Sequence, residues 1–194
     1  MSLQTQFRRF HDRIRLKEGD HVLLREQRGW ALSLLRRVFD RRFDFFPQGS
    51  YAMGTGIRPL QGAYDLDIGV VYHGPRPSDP LELKNYVYDT LIKHIPIIEI
   101  HRPCLTFSYQ EEGKTGFNVD LAIYSREPTG ELYLAMGKPQ TPMYFRNWVK
   151  SDPKAFIDRV NNHLSGEPQQ QFRRVIHYLK RWRDIHFSDI TETP

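Results

Sequence analysis

The chain has 194 residues, 39% of them apolar and 13% aromatic, with a formal net charge of +5; this reads as a folded, soluble chain long enough for one sizeable core, or for one domain plus part of another. A single cysteine, Cys104, excludes an internal disulfide framework and argues against a cysteine-built zinc site. No run approaches the roughly 18 consecutive apolar residues of a membrane span, and residues 1–16 lack the apolar core of a secretory signal, so a cytoplasmic chain is expected.

In chain order, Leu24, Ala31, Leu34, Leu35 and Val38 recur at helical spacing and predict a packing helix over 20–39. The pairs Arg36-Arg37 and Arg41-Arg42 fall at its C-terminal end, where cations complement the helix dipole. That reading competes with an anionic partner, nucleotide or nucleic acid, which the positive balance also favours. Residues 43–46 are short, apolar and followed by Pro47, an extended lead into the turn Gln48-Gly49-Ser50, and a short helix is expected somewhere in 51–57.

The run Tyr64-Asp65-Leu66-Asp67-Ile68-Gly69-Val70-Val71 reads as a strand. Its period of two puts Asp65 and Asp67 on one face and Leu66, Ile68 and Val70 on the other. Two carboxylates held that close repel unless a cation sits between them, and hard oxygen ligands suit Mg²⁺ or Mn²⁺. The permissive backbone of Gly49 and the hydroxyl of Ser50 are suited to holding a polyphosphate.

Pro80, capped by Asp79 or Ser78, should open a helix carrying Leu83, Val87 and Leu91 that stops near His94, followed by a strand near 97–100. Residues 105–109 and 117–124 read as the arms of a hairpin joined by the polar segment 110–116, and a further strand is expected at 131–136. On the second arm Asn118 and Asp120 share a face, and an acid interrupting an apolar strand calls for a reason. After Gly137 the chain reads as short helices packed through Tyr144, Phe145, Trp148 and Phe156. From Pro168, Phe172, Val175, Ile176, Leu179 and Trp182 predict an amphipathic helix with a dry aromatic face and a wet basic one. Residues 188–194 carry no structural signal.

The Gly-Ser turn, the D-x-D strand and a third aspartate on a neighbouring strand together resemble the nucleotidyltransferase superfamily that shares the DNA polymerase β palm. Gln48-Gly49-Ser50-Tyr51, Tyr64-Asp65-Leu66-Asp67 and Phe117-Asn118-Val119-Asp120-Leu121 are most similar to the bacterial cGAS/DncV-like nucleotidyltransferases, makers of cyclic oligonucleotide messengers in anti-phage defence. The helix from Phe172 to Trp182 resembles one whose lysine, here Lys180, reaches the triphosphate. The resemblance implies an α+β fold, a polymerase β-like palm of mixed sheet and flanking helices with its N-terminal helix over 1–137, and the start of a helical second lobe over 138–194. In that family further helices follow, so the lobe is expected to be incomplete.

The resemblance further implies two-metal nucleotidyl transfer, with Asp65, Asp67 and Asp120 as catalytic residues and metal ligands for Mg²⁺ (Mn²⁺ as an alternative), and Gln48, Gly49, Ser50 and Lys180 binding the nucleotide. The implied substrates are ribonucleoside triphosphates such as ATP or GTP. Regulatory or effector proteins are implied partners, nucleic acid is not required, and no membrane is involved. Two other readings stay open: a template-independent nucleotidyltransferase acting on RNA, a small molecule or a protein hydroxyl, and a non-catalytic palm that binds nucleotide or RNA.

Overall fold

The computed structural model describes residues 2–60, 62–109 and 116–187. Two helices, α1 (Leu3–Ile14) and α2 (Glu18–Val38), precede strand β1 (Phe43–Gln48), a single helical turn α3 (Gly49–Ala52) and the long strand β2 (Tyr64–Tyr72). Helix α4 (Pro80–Leu91) leads to β3 (Ile98–Ile100), β4 (Leu105–Tyr109), β5 (Phe117–Arg126) and β6 (Leu132–Met136). The chain continues through β7 (Asn147–Ser151), α5 (Pro153–Asn162) and α6 (Gly166–His186). The architecture is α+β.

One mixed sheet of seven strands runs β1-β2-β5-β4-β3. The central pair β2 and β5 is parallel and every other pairing is antiparallel. The far edge of β5 is shared, its first half pairing with β4 and its last residues with β6, which in turn pairs with β7. A parallel pair at the centre is normally covered on both faces. Here Leu66, Ile68, Val70, Val119, Leu121 and Ile123 are buried in the main core with Leu35 of α2 and Val87 and Leu91 of α4, each contributing about 1.5–3 kcal/mol. On the opposite face, among the described residues, a small cluster forms, Val71, Ala122, Tyr124 and Leu132 with Phe46. The rest of that face is left to polar groups.

Helices α2 and α4 fall where the periodicity puts them, and Asp79 caps α4 by accepting from the Leu81 N–H at 2.9 Å. Four details differ. The short helix begins at Gly49 rather than inside 51–57, because the turn closes through the Met53 N–H onto the Gly49 carbonyl. Helix α1 is additional to the expected elements; the Ser2 hydroxyl accepts from the Thr5 N–H, and Phe7 and Phe10 pack against Tyr178 of α6. Residues 147–151, read as helical from their aromatics, form β7, where Trp148 donates its indole N–H to the Pro77 carbonyl at 2.9 Å. The sheet therefore extends past residue 137. The connection 110–115 and the tail 188–194 lie outside the described residues.

The fourth difference is the orientation of α6. Its aromatic face is not dry: Leu179 is 60% and Trp182 53% exposed, whereas His177 and Arg181 are buried. The physical reason is a demand for donors beneath it. Arg181 donates to the Arg58 carbonyl, Lys180 to the Thr55 carbonyl at 3.2 Å, and the His177 ring meets His11 of α1 at 3.0 Å. Polar side chains are drawn inward because the loop 53–58 offers backbone acceptors that burial would otherwise leave unpaired.

Lys84 of α4 shows the same logic more completely. Its side chain is fully buried, and its ammonium donates to the carbonyls of His101, Arg102 and Gly137 at 2.6, 2.8 and 2.7 Å. Burial pushes its pKa down to about 8. Lys84→Met keeps the volume but orphans three carbonyls, and a destabilisation of about 2–4 kcal/mol is expected in urea unfolding. An unchanged midpoint and slope would contradict that role.

Candidate active site

The parallel register of β2 and β5 sets the geometry. Asp67 lies opposite Asp120 and Asp65 opposite Asn118, so all four side chains rise from one face, the one away from the main core. Antiparallel β1 brings Gln48 opposite Asp67. The chain then turns at Gly49, which has φ +67°, and a Cβ there would lie 1.8 Å from Asp67 Oδ2. Glycine is required on both counts, and its bare Cα lets the Ser50 N–H reach the Asp67 carboxylate. The Ser50 carbonyl closes the loop by accepting from the Thr55 N–H at 2.9 Å.

Each acid is held by a different neutral donor. Thr106 donates its hydroxyl to Asp120 Oδ1 at 2.5 Å, and Asn118 donates its amide to Asp65 Oδ1 at 3.1 Å. Burial is the main cause that pushes Asp67 up to about 6, reinforced by the charges of Asp120 and Asp65 and opposed by the Ser50 N–H and Lys180. Asp120 is also raised, by burial first and by Asp65, against the Thr106 hydrogen bond and His101. Negative charge is concentrated here beyond what the surrounding donors compensate. Lys180 is lowered by burial and by Arg183, with Asp67, Asp184 and Asp65 acting the other way.

A cleft of about 820 Å³ opens beside the acids. Ser50, Asp65, Asn118, Lys180 and Arg183 supply its polar wall, and Leu16, Leu24, Ile57 and Leu60 an apolar one. Tyr64 fixes its floor, donating to Asp20 Oδ1 at 2.6 Å while Arg58 pairs with the other oxygen at 3.3 Å.

Of the residues expected at the site, Asp65, Asp67 and Asp120 rise from one face, the Gly49-Ser50 turn lies against Asp67, and Lys180 lines the same cleft as Ser50 and Asp65. Gln48 shares their face, but its carboxamide oxygen accepts from the Tyr124 hydroxyl at 3.1 Å. Cys104 is half-buried, and burial together with the Asp120 charge pushes its thiol up to about 11, so it stays protonated beside the site. Thr106, Ser108, Arg183 and the Tyr64–Asp20–Arg58 network are additional. Alternation in β4 around buried Leu105 and Phe107 is the signal that places Thr106 and Ser108 on the site face.

Among the described residues, no three acidic, histidine or cysteine side chains stand drawn together as a ready metal cage. The donor set nonetheless fits a hard divalent cation: three carboxylates on adjacent strands, two of them with raised pKa values that a cation would relieve.

With this geometry in place, the family model described as cyclic GMP-AMP synthase DncV-like, nucleotidyltransferase domain, matches residues 43–124. The matched segment runs from β1 to β5 and contains all three acids and the Gly49-Ser50 turn. The chain is similar to a cyclic GMP-AMP synthase of Escherichia albertii, 27% identical over 167 residues, covering 80% of this chain and 35% of the relative. It spans about a third of that curated relative's length. Among solved structures it resembles the CD-NTase CdnG of Bradyrhizobium diazoefficiens in complex with GTP, at TM-score 0.73 and 18% identity over 94% of this chain and 64% of that one. It also resembles Vibrio cholerae DncV with the linear intermediate pppA(3',5')pG, at TM-score 0.63 and 16% identity over 92% of this chain and 64% of that one. These structural likenesses show that the chain shares the fold of those proteins. No helix among the described residues is long and apolar enough to cross a membrane.

Proposed function

We propose that the chain carries the catalytic centre of a nucleotidyltransferase that joins ribonucleoside triphosphates into a cyclic oligonucleotide. The observation that carries this reading is the placement of Asp65, Asp67 and Asp120 on one face of a parallel strand pair, with the Ser50 N–H directed at Asp67. A site meant only to bind phosphates has no use for concentrated negative charge. A site that holds a cation against a triphosphate needs it.

Asp65, Asp67 and Asp120 would hold Mg²⁺ or Mn²⁺, which when bound lowers the pKa of the attacking hydroxyl and neutralises charge on the leaving group. Ser50, on the cleft wall, and the backbone at Gly49 bind the β and γ phosphates, and Lys180 adds a point charge to them from α6. Held so, the α-phosphate lies within reach of a ribose hydroxyl; that oxygen forms the new phosphodiester bond as pyrophosphate departs. Asp120, already raised by burial, is suited to receive the hydroxyl proton, directly or through water. The relatives support the substrate class: one was solved with GTP and another with a linear two-nucleotide intermediate.

The test is incubation with four α-labelled ribonucleoside triphosphates and Mg²⁺ or Mn²⁺, followed by phosphatase treatment and mass analysis. A labelled, phosphatase-resistant product formed with release of pyrophosphate is expected. Label transferred to added RNA or to a small hydroxyl compound would move the enzyme to another branch of template-independent transferases. Salt-sensitive RNA binding without pyrophosphate release would contradict catalysis altogether.

A further inference from the structure

A single polar row crosses three strands on the face that carries the acids. Between β4 and β5 the register sets Thr106 opposite Asp120 and Ser108 opposite Asn118; between β5 and β2 it sets Asp120 opposite Asp67 and Asn118 opposite Asp65. The hydrogen bonds run along this row toward the acids. Thr106 donates to Asp120 Oδ1 at 2.5 Å. Ser108 donates to Asn118 Oδ1 at 2.8 Å, and the Asn118 amide nitrogen donates in turn to Asp65 Oδ1 at 3.1 Å. The polarity is forced: a carboxylate only accepts, so the amide nitrogen must face Asp65 and the amide oxygen must face Ser108.

We propose that Thr106 and Ser108 of β4 are positioning residues for the ion-binding acids, Thr106 directly on Asp120 and Ser108 through Asn118 on Asp65. The inference rests on the reading of those acids as cation ligands. Each bond claims one carboxylate oxygen, and the second oxygen of Asp65 and of Asp120 accepts no hydrogen bond among the described residues. An acid pinned through one oxygen presents the other in a fixed direction, which is how partners behind the ligands tune metal affinity in other sites. The short Thr106 bond also holds Asp120 against the repulsion of Asp65. Without these donors both acids would be free to turn away from each other. A cation would then have to order them on binding, at a cost in affinity.

A purely structural role for the same hydroxyls makes a different forecast. It lowers stability and leaves ion affinity unchanged. The deciding experiment titrates Mn²⁺ into the 194-residue chain without nucleotide, reading free Mn²⁺ by electron paramagnetic resonance, with urea unfolding in parallel. Thr106→Val, which preserves shape and removes the donor, should weaken Mn²⁺ binding about 10-fold or more. Thr106→Ser, which restores the hydroxyl, should return it to within about 3-fold of the parent. Ser108→Ala, acting one residue further away, should weaken it by about 3- to 10-fold, and serves alone if the valine variant does not fold. Mn²⁺ binding unchanged in Ser108→Ala and in a folded Thr106→Val overturns the proposal and leaves the catalytic reading standing. Absence of Mn²⁺ binding by the parent protein overturns both.

Discussion

Asp67→Asn is expected to lower pyrophosphate release by at least about 10³-fold while leaving the protein folded. The substitution keeps the side chain's size and its place beside the Ser50 turn, and removes only the charge a cation would meet. The same geometry makes a second forecast with the opposite sign. Burial and the two neighbouring acids raise Asp67 to about 6, so the folded state favours the protonated form. Its contribution to stability is then full below the unfolded value near 3.8 and is lost as pH rises through about 6. In EDTA at about pH 7.5 the asparagine variant should therefore be as stable as the parent or more so, by about 1–2 kcal/mol after allowance for solvent screening. Near pH 4 the difference should shrink toward zero. An inactive variant that is also markedly less stable at that higher pH would mean that Asp67 serves the fold, not the chemistry.

Gly49→Ala should produce the second large effect, on stability and activity together. The position has φ +67°, where a side chain is strained, and the new methyl would fall 1.8 Å from Asp67 Oδ2. Either the turn or the carboxylate must move, and both belong to the site. A destabilisation of about 2–4 kcal/mol and a loss of about 100-fold or more in turnover are expected. Gly62→Ala provides the control. That glycine has φ +83°, and a methyl added to it would meet nothing within 4 Å, so only the backbone cost of about 1–2 kcal/mol should appear. Equal effects at the two positions would show that strain alone, and not the approach of Asp67, explains the need for Gly49.

The parts of this fold that are legible from the chain alone are those governed by local periodicity. Strand β2 alternates acids with Leu66, Ile68 and Val70, and that pattern specifies its buried face before any partner is known. Asp120 is legible for the same reason, as an acid inside the apolar run of β5. Helix α6 misleads because its aromatic stripe is locally persuasive, whereas its orientation is decided by the carbonyls of Thr55 and Arg58, which lie far earlier in the chain. Strand β7 misleads because its aromatics suit helix packing and strand pairing alike, and only the free edge of β6 selects the strand. Lys84 sits on the inward face of α4 beside Leu83 and Val87, and nothing nearby in sequence announces three acceptors at residues 101, 102 and 137. At the site, the acids, the turn and Lys180 are readable in the sequence. The cross-strand donors Thr106 and Asn118 need the register.

The most direct test of the central claim, that the three acids and the Ser50 turn form one cation–triphosphate site, is a crystal structure of the protein with a non-hydrolysable GTP or ATP analogue and Mn²⁺, with the ion located by its anomalous scattering. The account predicts Mn²⁺ ligated by Asp65 and Asp67, with Asp120 turned toward it and the triphosphate against Ser50 and Lys180. A triphosphate bound elsewhere on the chain, or Mn²⁺ absent from these carboxylates with nucleotide present, would contradict it.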